Sequence, residues 1–229
     1  MKYSINKTVI IFNVLLSIII SDSLLYGQSK ALKNNFKYVQ IKLPENVTVN
    51  LPDNWTTWTE KETAALGKST KEKTKNIGNV GVKSKLAFAS NYYDSSKTTL
   101  AMFNIRYYPE YELTQYDISH AEEKDVQLID YTLKSSIEKG LKAEGLEIID
   151  WLGTNRVLIN KATAIITEYK RSSIKGKSFC VRLIRYFNKE KSFVITISYR
   201  IDNTLTLRPI CDEIINSIKP ESIVSGNAE

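Results

Sequence analysis

Histidine occurs once in this chain, at position 120, and cysteine twice, at 180 and 211. A zinc cage of cysteine and histidine needs more such ligands than the chain has. A serine or cysteine nucleophile would have only His120 as its base. His120 falls at the start of a helical pattern beside Glu122 and Glu123, the setting of a surface residue. Glycine is sparse, 9 in 229 residues. The best match to a phosphate loop, GNVG at 78–81, lacks the following lysine and serine. No catalytic residue, metal site or cofactor is expected. Carboxylates are scattered without a paired signature, so a hydrolase of that kind is the weakest alternative.

Long apolar runs are missing after residue 20. The one that exists, TVIIFNVLLSIII at 8–20, follows Lys2 and Lys7 and precedes SDSLLYG, which ends at Gly27. This is the order of a secretory signal peptide, cleaved after Gly27 or Ser23. The run is shorter than the ~20 residues that span a bilayer. Residues 1–27 are therefore expected to be removed. The product is expected to be exported, periplasmic or secreted, with no transmembrane segment. Residues 28–229 then form a single domain, ordered over about 38–219.

Negative charge is the minority. The net charge is +7, and removing Lys2, Lys7 and Asp22 leaves about +6. Such a charge suits anionic surfaces. Export makes nucleic acid a poor partner, so an envelope protein or an anionic ligand is expected.

What is present is alternation. YVQIKL (38–43) and NVTVNL (46–51) read as strands interrupted by Pro44, and proline favours a sheet edge. Trp55 and Trp58 follow the turn at 52–54 and are expected to be structural, closing the sheet edge against a helix. Thr59 with Glu62 caps a short helix. Residues 68–85 carry Lys68, Lys71, Lys73, Lys75, Lys83 and Lys85 against one glutamate, a basic loop. KLAFASNYY (85–93) and TTLAMFNIRYY (98–108) form a hairpin across DSSK. A long helix over 119–144 opens on a Ser119–Glu122 capping box. Val126, Ile129, Leu133, Ile137 and Leu141 stripe one side of it. Strands follow at 146–154, 156–160, 162–171, 178–187 and 192–200. A last helix at about 205–218 carries Pro209 in its first turn. Short turns between adjacent strands demand antiparallel pairing. The class is α+β, an antiparallel sheet sandwiched by helices.

A short edge segment, a Leu-Pro pair and Trp55 after a turn resemble the opening of the PsbP-like fold. That fold is shared by a photosystem II extrinsic subunit, a small Ran-binding import factor and many exported bacterial proteins. The order of helix, hairpin, long helix, meander and helix is similar over most of 38–219. The resemblance implies an α/β/α sandwich with a binding or accessory role, and transfers no site residues.

Period two assigns faces. Phe179, Val181, Leu183 and Phe187 share one row, and Cys180, Arg182, Ile184 and Tyr186 the other. Phe193, Ile195, Ile197 and Tyr199 oppose Val194, Thr196, Ser198 and Arg200. Ala101, Phe103, Ile105 and Tyr107 oppose Met102, Asn104, Arg106 and Tyr108. If the apolar rows share the core beneath the long helix, a second face carries Asn104, Arg106, Glu168, Arg182, Thr196, Ser198 and Arg200. That face is either solvated and knitted by ion pairs, or a cationic site for an anionic ligand. An alternative binding surface is membrane or polyanion contact through the basic segment with Trp55 and Trp58. Cys180 and Cys211 meet only if the last helix covers the Cys180 row. A disulfide and two buried thiols both stay open.

Overall fold

The computed structural model describes residues 36–43, 46–59, 61–64, 85–109, 113–174, 176–187 and 191–220. The expected signal peptide, 1–27, and the basic loop from 68 to 84 lie outside the described residues.

The strands are β1 (Tyr38–Leu43), β2 (Val47–Pro52), β3 (Thr56–Thr57), β4 (Lys85–Tyr93), β5 (Thr99–Pro109), β6 (Ile148–Ile159), β7 (Ala162–Arg171), β8 (Phe179–Tyr186), β9 (Lys191–Arg200) and β10 (Lys219–Pro220). The longer helices are α1 (Gln115–Ser119), α2 (Glu123–Ala143) and α3 (Thr204–Ser217); residues 61–64 are also helical, and Ile201–Asn203 form a 3-10 turn before α3. Seven strands form one antiparallel sheet, ordered β3-β4-β5-β9-β8-β7-β6. The chain leaves β5, crosses through α1 and α2 to the far edge, and meanders back until β9 pairs with β5. A separate three-stranded sheet, β1-β2-β10, joins the opening hairpin to the chain after α3. The sequence reading placed everything in one layer, so this second sheet is a correction. Pro220 lies on β10, an edge strand of this sheet, where a missing N–H is tolerated, and Pro52 is the last residue of the central strand β2.

Both faces of the main sheet are covered. On one, Phe103, Ile105, Ile195 and Ile197 join Val47, Val49 and Leu51 of β2 and Leu207, Cys211 and Ile214 of α3 in one apolar core. On the other, Val181, Leu183, Ile165 and Tyr169 join Ile129, Leu133, Ile137 and Leu141 of α2. Every residue of β8 is buried. Gln115 fastens α1 to the sheet. Its Nε2 donates to the Thr163 and Phe187 carbonyls at 2.9 and 3.1 Å, and its Oε1 accepts from the Thr163 N–H.

Three boundaries differ from the sequence reading. The long helix is two helices, each with its own capping box, Thr114 with Asp117 and Glu122 with Asp125. The turn between them exposes carbonyls that Arg156 Nη1 takes up at Ile118, Ser119 and Ala121 (3.3, 3.1 and 2.5 Å). LGTN is no turn. β6 runs through it with a register shift between Trp151 and Gly153, where Gly153 adopts φ +100°. A glycine there makes a bulge and lets the strand continue. Pro209 lies inside α3 rather than in its first turn.

Candidate functional site

The register distributes the expected polar face over both sides of the sheet. Residues directly opposite in an antiparallel pair share a face. Arg182 lies opposite Ile197 and Glu168, and Ile197 opposite Phe103. Asn104 lies opposite Thr196, and Thr196 opposite Leu183. Arg182 and Glu168 therefore face α3, while Asn104, Arg106, Thr196, Ser198 and Arg200 face the α2 side. The assumption that all apolar rows lie beneath the long helix fails because both faces are buried. Alternation then separates two rows but does not say which row goes where.

On the α3 side, Arg182 Nε donates to Glu168 Oε2 at 3.0 Å and its Nη1 donates to Asp212 Oδ1 of α3. Arg208 Nη2 stands 3.6 Å from Glu168 Oε1, and the Cys180 thiol donates to the same oxygen at 3.5 Å. Burial alone would lower the Arg182 pKa. The Asp212 hydrogen bond and the Glu168 charge outweigh it and hold Arg182 above the usual arginine range. Cys180 and Cys211 are buried free thiols, both in the α3-side core. Burial pushes the Cys180 thiol up to about 11, with the nearby Tyr199 hydroxyl pulling the other way. This side is a closed network that pins α3 to the sheet. The sequence reading missed its third and fourth members, Asp212 and Arg208. The signal available was their position on either side of Cys211, around a stripe otherwise apolar.

The α2 side is different. Arg106 is 1% exposed, and its Nε and Nη2 have no hydrogen-bond partner among the described residues. Asn104 Oδ1 and Thr196 Oγ1, both buried, are also without partners there. Burial lowers the Arg106 pKa, yet arginine stays charged at any ordinary pH. Arg185 lies in the same register row, Arg106–Val194–Arg185, and its Nη1 donates to Thr167 Oγ1 at 3.5 Å. The sequence reading did not single it out, although an arginine inside the Phe179–Phe187 apolar row is itself a signal. Arg200 shares the face but sits opposite Phe179, six positions from Val194 and about 20 Å along the strand.

The remaining candidates fall elsewhere. Trp55 is 6% exposed and stacks on Tyr92 at 6.1 Å. It is a core residue and not half of an exposed aromatic pair. Trp58 is half-buried. Lys85 is exposed at the start of β4. Lys68, Lys71, Lys73, Lys75 and Lys83 lie outside the described residues. His120 caps the end of α1 instead of opening a long helix. Its Nδ1 lies 2.9 Å from Ser119 Oγ and from the Tyr116 carbonyl, and its ring stacks on Tyr116. Among the described residues no helix is long and apolar enough to cross a membrane.

No family model matches the sequence, and no curated protein does. Solved structures resemble it in shape. Cyanobacterial PsbP from Synechocystis shares 9% identity and a TM-score of 0.50, over 84% of this chain and 97% of its own. LpqN of Mycobacterium tuberculosis, a protein involved in cell envelope biogenesis, shares 13% identity at a TM-score of 0.43, over 82% and 93%. The Ran-binding protein Mog1p of Saccharomyces cerevisiae shares 8% at 0.39, over 83% and 97%. At these identities the likeness concerns architecture alone. The antiparallel sheet covered by helices, with the cyanobacterial protein aligned over nearly its whole length, has the PsbP-like α+β fold.

Proposed function

We propose that the chain is an exported, non-catalytic binding protein of the cell envelope that takes a small anionic ligand at Arg106. The observation that carries the reading is the Arg106 guanidinium, buried on the α2 side with its Nε and Nη2 unpartnered among the described residues. An uncompensated buried charge costs several kcal/mol. Strong desolvation of a charged group inside a fold makes that group a candidate binding residue. An anion would offset that cost through charge-assisted hydrogen bonds, about twice as strong as neutral ones. The order of residues 1–27 supports export.

Two measurements test this. The chain recovered from an envelope fraction should begin at Gln28 or Leu24 by intact mass, and recovery only as the full-length cytosolic chain overturns export. In a thermal-shift series with phosphate, sulfate, acetate and lactate at about 10 mM each, at least one anion should raise the Tm. Arg106→Met should abolish that rise. If no anion shifts the wild type, the binding reading fails.

A further inference from the structure

Arg106, Asn104 and Thr196 share one small area of the α2-side face. Asn104 is directly opposite Thr196, and Arg106 follows Asn104 by two positions, about 7 Å along the same face. Each is buried with polar atoms unpartnered among the described residues: Arg106 Nε and Nη2, Asn104 Oδ1 and Thr196 Oγ1. These atoms make complementary demands. Nε–H and Nη2–H project in parallel from one edge of the guanidinium and match the two oxygens of a planar carboxylate. Asn104 Oδ1 only accepts, and the Thr196 hydroxyl both donates and accepts. An inorganic anion with no proton to donate, such as sulfate, would satisfy the arginine and leave the Asn104 oxygen facing negative charge.

We propose that the ligand is a small carboxylate that also carries a hydroxyl or amino donor. This rests on the reading of Arg106 above. The carboxylate lies along the Nε/Nη2 edge, and the donor reaches Asn104 Oδ1 and Thr196 Oγ1. Leu86 and Val194 flank Arg106 in its register row and are both buried. Their apolar surface excludes water and strengthens the ionic contact.

Lactate, alanine and propionate test the proposal, because they share a three-carbon carboxylate and differ in a hydroxyl, an amino group or neither. Titration calorimetry on the processed chain should show lactate or alanine binding at least about tenfold tighter than propionate, the worth of one good hydrogen bond. Thr196→Val and Asn104→Leu should each narrow that gap. Arg106→Lys keeps the charge without the fork and should weaken all three. Arg106→Met should abolish binding while leaving the circular dichroism spectrum and Tm intact or higher. If propionate binds as tightly as lactate and alanine, or if only sulfate, which has no proton to donate, binds, the donor-bearing class is wrong while the anion site stands. If none of the four binds, both readings fall. Loss of folding in Arg106→Met would show that the arginine has an internal partner, and would also overturn both.

Discussion

Arg106 and Arg182 both occupy central strands, and both are more than nine-tenths buried. Their fates are opposite because of what lies across from them. Arg182 meets Glu168 on β7 and Asp212 on α3, so its charge is compensated within the chain. Removing one member of a buried pair leaves the other uncompensated, at about 3–5 kcal/mol. Arg182→Met should therefore lower stability by about 3 kcal/mol in urea denaturation, the exposed Asp212 carboxylate keeping it at the low end. Arg106→Met, by contrast, should cost little in the free protein. The thiols add a pH dependence. The Cys180 thiol titrates near 9 when unfolded and near 11 when folded. The unfolded state thus loses its proton first, and stability falls as pH rises from about 9 to about 11. Urea midpoints measured from pH 8 to 11 should drop more for the wild type than for Cys180→Ala. Both thiols should also resist alkylation at pH 8 until denaturant is added, since the protonated thiol is the unreactive form.

At the level of elements, the decisive features are a bulge and an arginine cap. β6 holds its pairing with β7 across Gly153 because glycine tolerates φ +100°. Gly153→Ala has room for its methyl group but not for that backbone angle. It should destabilise by about 1–3 kcal/mol, checked by thermal unfolding. Arg156→Ala should cost about 1 kcal/mol, because its three acceptors are carbonyls freed at the end of α1 and just beyond it, and the side chain is exposed. The hairpin between β4 and β5 was readable, since Asp94 in DSSK accepts from the Ser96 and Thr98 amides, as a turn aspartate does. The α2 stripe was readable too, its period being 3.6 and its spacing unbroken. The split between α1 and α2 was not. Its local signals are the capping boxes Thr114 with Asp117 and Glu122 with Asp125, which the Ser119–Glu122 pair obscured, and the carbonyls at the break are taken up by Arg156, more than thirty residues away in sequence. The β6 bulge was misread because a glycine beside a threonine and an asparagine signals a turn as readily as a bulge.

Over the whole molecule, β5, β9 and β8 lie mid-sheet, β8 with residues in both cores and β5 and β9 in the α3-side core, whereas β1, β2 and β10 form a separate small sheet against α3. Native-state hydrogen exchange should find the slowest amides in β8 and β9 and faster exchange across β1 and β10. The reverse order would mean that the small sheet carries the stability. The sequence by itself determined the strands, most of the helices and the α+β class, because period two and period 3.6 are local properties of a chain that must bury apolar rows. It also brought Glu168 forward as a cross-strand partner of either Arg182 or Arg106, and the register gave it to Arg182. Only the tertiary structure decided which row of each strand faces which helix. With apolar cover on both sides, hydrophobicity does not distinguish the faces, and pairing register alone assigns them. That register put Arg182 within reach of two carboxylates. It left Arg106, on the other face, beside two polar groups and no counter-charge among the described residues.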